Sequence, residues 1–254
     1  MGNEKADREL ASAFDAQAAR FERAPVQSDP AALGRLVAFA ALSRAAHVLD
    51  AGCGPGLVAE ALLSAGCAVT GVDLSEEMIR RARERCARFG GRARFEKCAL
   101  EDLPMAAVFD AAVSRFVVHH VPDPLAFLRS QVARVRPGGI VLVYDHTTDP
   151  DPERARWHLA IERARDRTHA RNLTPGELID HCARAGLVDL ALEEEPFELD
   201  FDEWFDRGTP GMEKAEVRRM AEGGRARGME PIARPDGGLS FRCYREMVRG
   251  VRPR

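Results

Sequence analysis

The chain has 254 residues, 45% of them hydrophobic and 30% charged, with a formal net charge of -3. That length and apolar content suffice for one substantial core, and the charge leaves no global basic field of the kind that grips a nucleic-acid backbone. No apolar run approaches the roughly 18 residues of a membrane span, and the start, MGNEKADREL, is polar.

The expectation is therefore a cytoplasmic chain with no nucleic-acid or membrane partner, and monomer or homodimer is left open. Positive charge is almost all arginine, since Lys5, Lys97 and Lys214 are the lysines. The six cysteines form no CxxC pair and do not combine with histidines at zinc spacing, so buried thiols and no metal are expected.

Residues 5–23 place Leu10, Phe14, Ala18 and Phe21 at helical spacing, and residues 30–44 repeat the pattern with Leu33, Leu36, Val37, Ala40 and Ala41. An alternation of short strands and helices follows. His47 to Asp50 reads as a strand, Gly52 to Gly56 as a tight turn and Leu57 to Ala65 as a helix. Ala68 to Val72 reads as the second strand. Ser75 can cap the next helix, with Glu76 and Glu77 in its first turn and Met78, Ala82, Cys86 and Phe89 as its buried stripe. Gly90 ends that helix.

Arg92 to Glu96 and Phe109 to Val113 read as the third and fourth strands. A helix over Pro124 to Val135 stops at Pro137-Gly138-Gly139, and Ile140 to Tyr144 makes the fifth strand. Residues 152–168 and 175–185 read as helices, Leu187 to Leu192 and Leu239 to Met247 as two last strands, and 195–237 as a partly helical insertion. Such alternation predicts an α/β fold, Rossmann-like and doubly wound. The sheet is expected to be seven-stranded and mostly parallel, with an antiparallel last strand. A single domain over 1–254 is expected: an N-terminal helical cap (1–45), a ligand-binding core (46–150) and a substrate cover (151–254).

The most informative stretch is VLDAGCGPG, residues 48–56. Glycines at 52, 54 and 56 let the chain turn sharply and approach a ligand closely, and the next helix offers free N–H groups. Asp73, 23 residues after Asp50, can accept hydrogen bonds from both hydroxyls of a ribose. Gly54 to Ala59 also fits the G-x-G-x-x-A dinucleotide template, so an NAD-dependent oxidoreductase is a competing reading. Against it stands Asp50, whose carboxylate would repel a pyrophosphate yet suit a ligand carrying ammonium and sulfonium groups.

These residues resemble class I S-adenosylmethionine-dependent methyltransferases, in particular the small-molecule group of ubiquinone and menaquinone C-methyltransferases. Five stretches are similar and in order: VLDAGCGPG, VTGVDLSEEMI (69–79), LEDLP (100–104), FDAAVSRFVVHHVPDP (109–124) and RVRPGGIVLVYD (134–145). The resemblance implies S-adenosyl-L-methionine as cofactor. It puts Asp50, Gly52, Gly54 and Gly56 around its methionine part, Asp73 at the ribose, and Leu74 and Met78 beside the sugar or adenine. It puts Leu100 and Glu101 at the adenine edge, and Arg115 and Phe116 at the sulfonium side. Many family members carry an Asp where this chain has Ala99, so the adenine amino contact is absent here or falls to Glu101.

Methyl transfer is an in-line displacement in which the protein chiefly positions the acceptor and excludes water, with a base where the acceptor bears a proton. Candidate bases are His119 or His120 after the fourth strand, His146 after the fifth, and His169 in the cover. His47, His158 and His181 read as structural. Asp145 either accepts a substrate proton or ends its strand. Trp157, Trp204 and Phe205 are candidate aromatic walls. The reading is methyl transfer to a small natural-product or quinone-like acceptor; RNA or protein acceptors are the alternatives within the class.

Overall fold

Strands β1 (His47–Ala51), β2 (Ala68–Asp73), β3 (Ala93–Lys97), β4 (Phe109–Arg115) and β5 (Val135–His146) form the parallel half of one sheet in the computed structural model, which describes residues 2–104, 106 and 108–254. The helices are α1 (Gly2–Arg23), α2 (Pro25–Ser28), α3 (Pro30–Ala40), α4 (Leu57–Ser64), α5 (Glu76–Cys86), α6 (Pro124–Arg134), α7 (Pro152–Arg165), α8 (Pro175–Arg184), α9 (Phe201–Arg207) and α10 (Lys214–Glu222). Three more strands, β6 (Val188–Asp200), β7 (Glu230–Ala233) and β8 (Leu239–Val251), complete the sheet in the order β3-β2-β1-β4-β5-β8-β6, with β7 paired to β8.

The sheet is Rossmann-like and mostly parallel, as the alternation predicts, but the sequence undercounts its strands. β7 lies inside the stretch read as an insertion, too short to show a period. β8 runs antiparallel to β5, β6 and β7. β6 and β8 are both much longer than predicted. The added residues of β6 pair with β8, those of β8 pair with both β5 and β6, and Val188 and Leu192 stay exposed on β6, so that strand shows no core-facing alternation. The segment Val135–Gly139, read as a helix end and breaker, is already extended and belongs to β5.

Alternation along each central strand sorts side chains to two cores. Val48, Ala111, Val113, Leu142 and Tyr144 face α3, α4 and α5. Leu49, Ala51, Ala112, Val141 and Val143 face α6 and α8. A third core, with Ile161, Trp204, Phe205, Val217 and Phe241, joins α7, α9 and α10 to the outer half of β8. Trp204 and Phe205 are buried in this core and Trp157 packs against it, so all three aromatics expected at a ligand wall serve packing.

Local chemistry sets the helix starts. Ser75 caps α5 by accepting from the Met78 N–H, as the sequence indicates. Asp29, Asp123, Asp151 and Thr174 cap α3, α6, α7 and α8, each just before a proline that needs no N–H partner. α5 ends at Cys86. Phe89 sits beyond it in a 3₁₀ stretch, with the Arg88 and Arg92 guanidiniums over its ring.

α1 is fastened across the top of the sheet. The Asp15 carboxylate accepts from the Ser75 hydroxyl (2.5 Å) and the Glu77 N–H (3.1 Å). Glu22 pairs with Arg81 and Arg85. The helix is thereby held over the carboxyl ends of β1 and β2, where open α/β sheets bind ligands.

Candidate active site

The parallel strands end at Ala51, Asp73, Lys97, Arg115 and His146 on one edge. A cavity of about 360 Å³ opens there. That volume lies within the roughly 300–1,000 Å³ of small-ligand sites. Its wall includes Asp50, Gly52, Gly54, Asp73, Leu74, Met78, Leu100, Glu101, Arg115 and Phe116. Ten of the eleven residues predicted for the cofactor are therefore brought together.

Gly56 is the exception. A Cβ there would lie 3.0 Å from the Ala82 backbone, so its glycine serves the close approach of α4 to α5. Its φ of +80° is the left-handed start of α4. Residues not foreseen also line the wall, among them Asp7, Val121, Pro122 and Phe127. Leu10, Phe14 and Phe21 of α1 form the roof.

The glycine turn is fixed from β2. Both Gly52 and Cys53 N–H groups donate to the Val72 carbonyl at 2.9 Å. The Asp73 carboxylate accepts from the Gly54 N–H and the Ser75 N–H, each at 2.9 Å. Asp73 thus faces the crevice and braces the turn. Burial raises its basicity, and the Ser75 and Gly54 donors oppose that rise.

A Cβ on Gly54 would project into open space, so the backbone there can lie flat against a ligand. Gly52 is different. With φ +74°, a Cβ on it would stand 2.5 Å from Val117 Cγ2. Gly52→Ala should cost about 2 kcal/mol or more of stability, since left-handed strain adds to the clash. Thermal denaturation checks this, and adding Val117→Ala should recover the clash but leave the strain.

Asp50 is 1% exposed, and its Oδ2 has no hydrogen-bond partner. Burial, reinforced by the Asp73 charge, pushes its pKa up to about 7. An unpaired buried carboxylate oxygen at a cavity wall can accept from a ligand donor, and a cationic donor would suit it best.

Beyond Phe116 lies a second, smaller cavity of about 60 Å³. Phe116 has φ +58°, a conformation non-glycine residues rarely adopt, and its ring forms a wall of both spaces. Phe21, Gln27 and His120 are also shared between the two. Arg115 donates to the Val26 and Gln27 carbonyls, so the predicted sulfonium-side arginine also anchors α2.

All four predicted histidines surround the smaller cavity. His119 and His120 stand in a one-turn 3₁₀ stretch after β4, and His146 ends β5. His169 arrives because the Asp166 carboxylate accepts from the Thr168 N–H and hydroxyl, while Ala170 and Arg171 N–H groups donate to the His119 carbonyl. The rings of His119 and His120 are 4.0 Å apart, those of His119 and His146 4.1 Å, and those of His119 and His169 5.1 Å.

Asp145 accepts from His119 Nδ1 (2.6 Å), the Val118 N–H (2.7 Å) and the His146 N–H (2.9 Å), so it organises this loop from within β5, whose last residue is His146. Burial, with the neighbouring rings adding to it, holds His119 well below the ordinary histidine range. Burial likewise brings His146 to about 3 and His169 to about 4. Neutral rings keep a free lone pair each.

His158, read as structural, donates to or accepts from the Thr148 hydroxyl at 2.9 Å. It also faces Glu162, which lines the smaller cavity and which the sequence reading did not single out. The available signal was the spacing of His158, Glu162 and His169 along one helix and the turn after it. Trp204 lines this cavity too. His47 bonds the Thr70 hydroxyl and His181 the Glu177 carbonyl, both away from either cavity.

The dinucleotide alternative fares poorly against this geometry. The antiparallel β8 between β5 and β6 departs from the all-parallel order of dinucleotide folds, and the buried Asp50 sits where a pyrophosphate would have to approach.

Comparison with known proteins agrees. The chain is 32% identical over 156 residues to a ubiquinone biosynthesis O-methyltransferase of Idiomarina loihiensis, a match covering 57% of this chain and 63% of the relative. A ubiquinone biosynthesis O-methyltransferase of Bordetella avium is 31% identical over 150 residues, covering 56% and 61%. The chain thus spans about three-fifths of the length of these curated relatives. Among solved structures, the YcgJ protein of Bacillus subtilis superposes with a TM-score of 0.79 at 23% identity, covering 88% of this chain and 99% of that one. Phosphoethanolamine N-methyltransferase 2 of Haemonchus contortus, solved with S-adenosylhomocysteine, gives a TM-score of 0.61 at 16% identity, covering 89% and 53%. Residues 22–192 match the family described as Methyltransferase domain, two-thirds of the chain and the whole parallel half of its sheet, and to that family this protein belongs.

Proposed function

We propose that the protein transfers a methyl group from S-adenosylmethionine to a small-molecule acceptor. The observation that carries this reading is the pairing of two carboxylates across the larger cavity: Asp50, with an unpartnered buried oxygen, and Asp73, which braces Gly54. The buried Oδ2 of Asp50 fits an ammonium. The open backbone at Gly54 fits a close-lying amino-acid chain, and Asp73 can still accept from two sugar hydroxyls, since each carboxylate oxygen has two lone pairs. Leu74, Met78 and Leu100 offer apolar surface for an adenine, with Glu101 at its edge. When bound, the cofactor would supply an electrophilic methyl group on sulfur.

The chain's own residues do the rest. Asp50, Asp73 and the glycine turn hold and orient the donor. α1, through Leu10, Phe14 and Phe21, covers it and excludes water. Phe116 and Arg115 shape the passage toward the smaller cavity. His120 is the best-placed base among the four histidines: it lines both cavities, and its Nδ1 is engaged by the Thr168 hydroxyl and carbonyl at 3.1 Å. That leaves Nε2 to take a proton from an acceptor hydroxyl.

The relatives' printed names favour a quinone-like oxygen acceptor. The apolar, aromatic surroundings of the passage, with Phe14, Phe21 and Phe116, suit a planar ring. No helix among the described residues is long and apolar enough to cross a membrane. We read the chain as cytoplasmic, acting as monomer or homodimer without nucleic acid.

Calorimetric titration of the purified chain with S-adenosylhomocysteine and, separately, NADH tests the cofactor. Saturable binding of the first and none of the second is expected. Binding of NADH alone would overturn the reading. Labelled methyl transfer to catechols and hydroquinones, against RNA and protein as controls, tests the acceptor class.

A further inference from the structure

The smaller cavity holds more than a base. His119, His146 and His169 come from three different segments, after β4, at the end of β5 and after α7, yet each offers a ring nitrogen and these atoms all lie within 4.8 Å of one another. The rings are oriented from behind. His119 gives its Nδ1 to Asp145 at 2.6 Å, and His169 gives its Nε2 to the Asn172 side-chain oxygen at 2.5 Å. In each case the bonded nitrogen carries the proton, so the other nitrogen keeps a bare lone pair. His146 Nε2 is buried and has no partner at all.

This is the arrangement in which metal-binding imidazoles are found: one nitrogen anchored to a carboxylate or carbonyl oxygen, the other free. A carboxylate stands beside this triad, outside the 4.8 Å group. The Glu162 carboxylate, 6% exposed, lies 3.6 Å from His169 Nδ1 and lines the same space. Buried charge also points to a cation. Asp145, Glu162 and Asp166 are all buried around these rings, against Arg165 and Arg207.

We propose that His119, His146, His169 and Glu162 bind a divalent transition-metal ion. Three neutral imidazoles and one carboxylate form a donor set suited to zinc, ferrous iron, cobalt or nickel and poorly suited to magnesium or calcium. An ion at about 2.1 Å from each nitrogen would draw the donors to roughly 3.4 Å apart, so the rings close by about an ångström on loading. Sequence spacing hides the site, because 27 residues separate His119 from His146 and 23 separate His146 from His169. With four protein donors, a ligand oxygen would enter as a fifth. If methyl transfer is the activity, that position suits the acceptor's hydroxyl oxygen, bound as its anion after its proton passes to His120. The metal site itself does not depend on that reading.

The test uses the full, untagged chain, stripped with a chelator and titrated with Co²⁺ alone while visible d–d absorption is recorded. Elemental analysis after Zn²⁺ loading gives the stoichiometry. One ion per chain is expected. His146→Ala and His169→Ala should each weaken binding by about tenfold or more, Glu162→Gln should do so less, and His181→Ala should change nothing. Binding of S-adenosylhomocysteine, measured on the same samples, reports separately on the larger cavity and on folding. Where an alanine variant unfolds, His169→Gln and His146→Asn keep the polar packing and must show the same loss. Absence of stoichiometric Co²⁺ binding, or binding that survives the histidine changes, would overturn the proposal even if the adenosyl ligand binds normally.

Discussion

Asp73→Ala should leave a folded chain whose affinity for S-adenosylhomocysteine has fallen by about 100-fold or more. The carboxylate has two tasks that fail together. It fixes the glycine turn by accepting from the Gly54 and Ser75 N–H groups, and on the proposed reading it accepts from the ribose. Hydrogen bonds to a charged partner contribute roughly 1.5–3 kcal/mol each, so losing two to the ligand accounts for roughly two to four decades before any loosening of the turn. Asp73→Asn keeps acceptor capacity on one oxygen only, and its amide nitrogen would face a backbone N–H, so it should fall between wild type and alanine. Isothermal titration measures both. An alanine variant that binds within a few-fold of wild type would show that Asp73 serves the loop alone.

The second large effect is a divergence between stability and binding at Asp50. Its pKa stands near 7 in the folded chain against an ordinary 3.8, because burial and the Asp73 charge disfavour the carboxylate. The folded state therefore holds a proton that the unfolded state has already released between those pH values. Stability of the ligand-free chain should fall as pH rises from about 4 to about 7 and then level off.

The interval corresponds to about 4 kcal/mol at most, and solvent entering the cavity will reduce it. Asp50→Asn carries no such proton, so above pH 7 it should unfold at a higher temperature than wild type when free of ligand. Asp145 shifts in the same direction but is present in both proteins, so the difference between the two unfolding curves isolates Asp50. Binding should run the other way. A ligand ammonium prefers the ionised carboxylate, so wild-type affinity should rise by up to about tenfold per pH unit toward 7 and then plateau. The asparagine variant should bind weakly and without that slope. A variant that is both less stable and pH-dependent like wild type would rule out an ionisable, ligand-directed Asp50.

Both effects concern residues on the first two strands, where the sequence spoke clearly. VLDAGCGPG is a strand, three glycines and a helix start in nine residues, and each step has a local cause: β-branched and apolar runs, positive φ, a free helix end. Ser75 and Asp73 likewise act on neighbours within a few positions, as cap and turn acceptor. Even there Gly56 shows the limit. Its role is set by Ala82 on another helix, which no local pattern reveals.

The second half of the chain was legible only in part. β6 and β8 extend past the sheet core into a long pair that covers little on one face, so hydrophobic alternation fades although the pairing continues. The aromatic residues Trp157, Trp204 and Phe205 look alike in sequence. All three pack into the third core, and Trp204 alone of them also reaches a cavity, according to the face of α9 it occupies.

What the sequence determined by itself was the chemistry at hand: an acid-tipped strand, a glycine turn, a ribose-competent aspartate, and histidines after β4 and β5. Those are consequences of local backbone preference and side-chain type, which travel with the residues wherever they go. What only the tertiary structure decided was their meeting. A turn set by Asp166 carries His169 to within 5.1 Å of the His119 ring, α7 brings Glu162 to the same space, and Phe116 divides one cavity from the other. Distances between segments far apart in the chain depend on how β5, β8 and α7 pack, and packing is a property of the whole core rather than of any stretch within it.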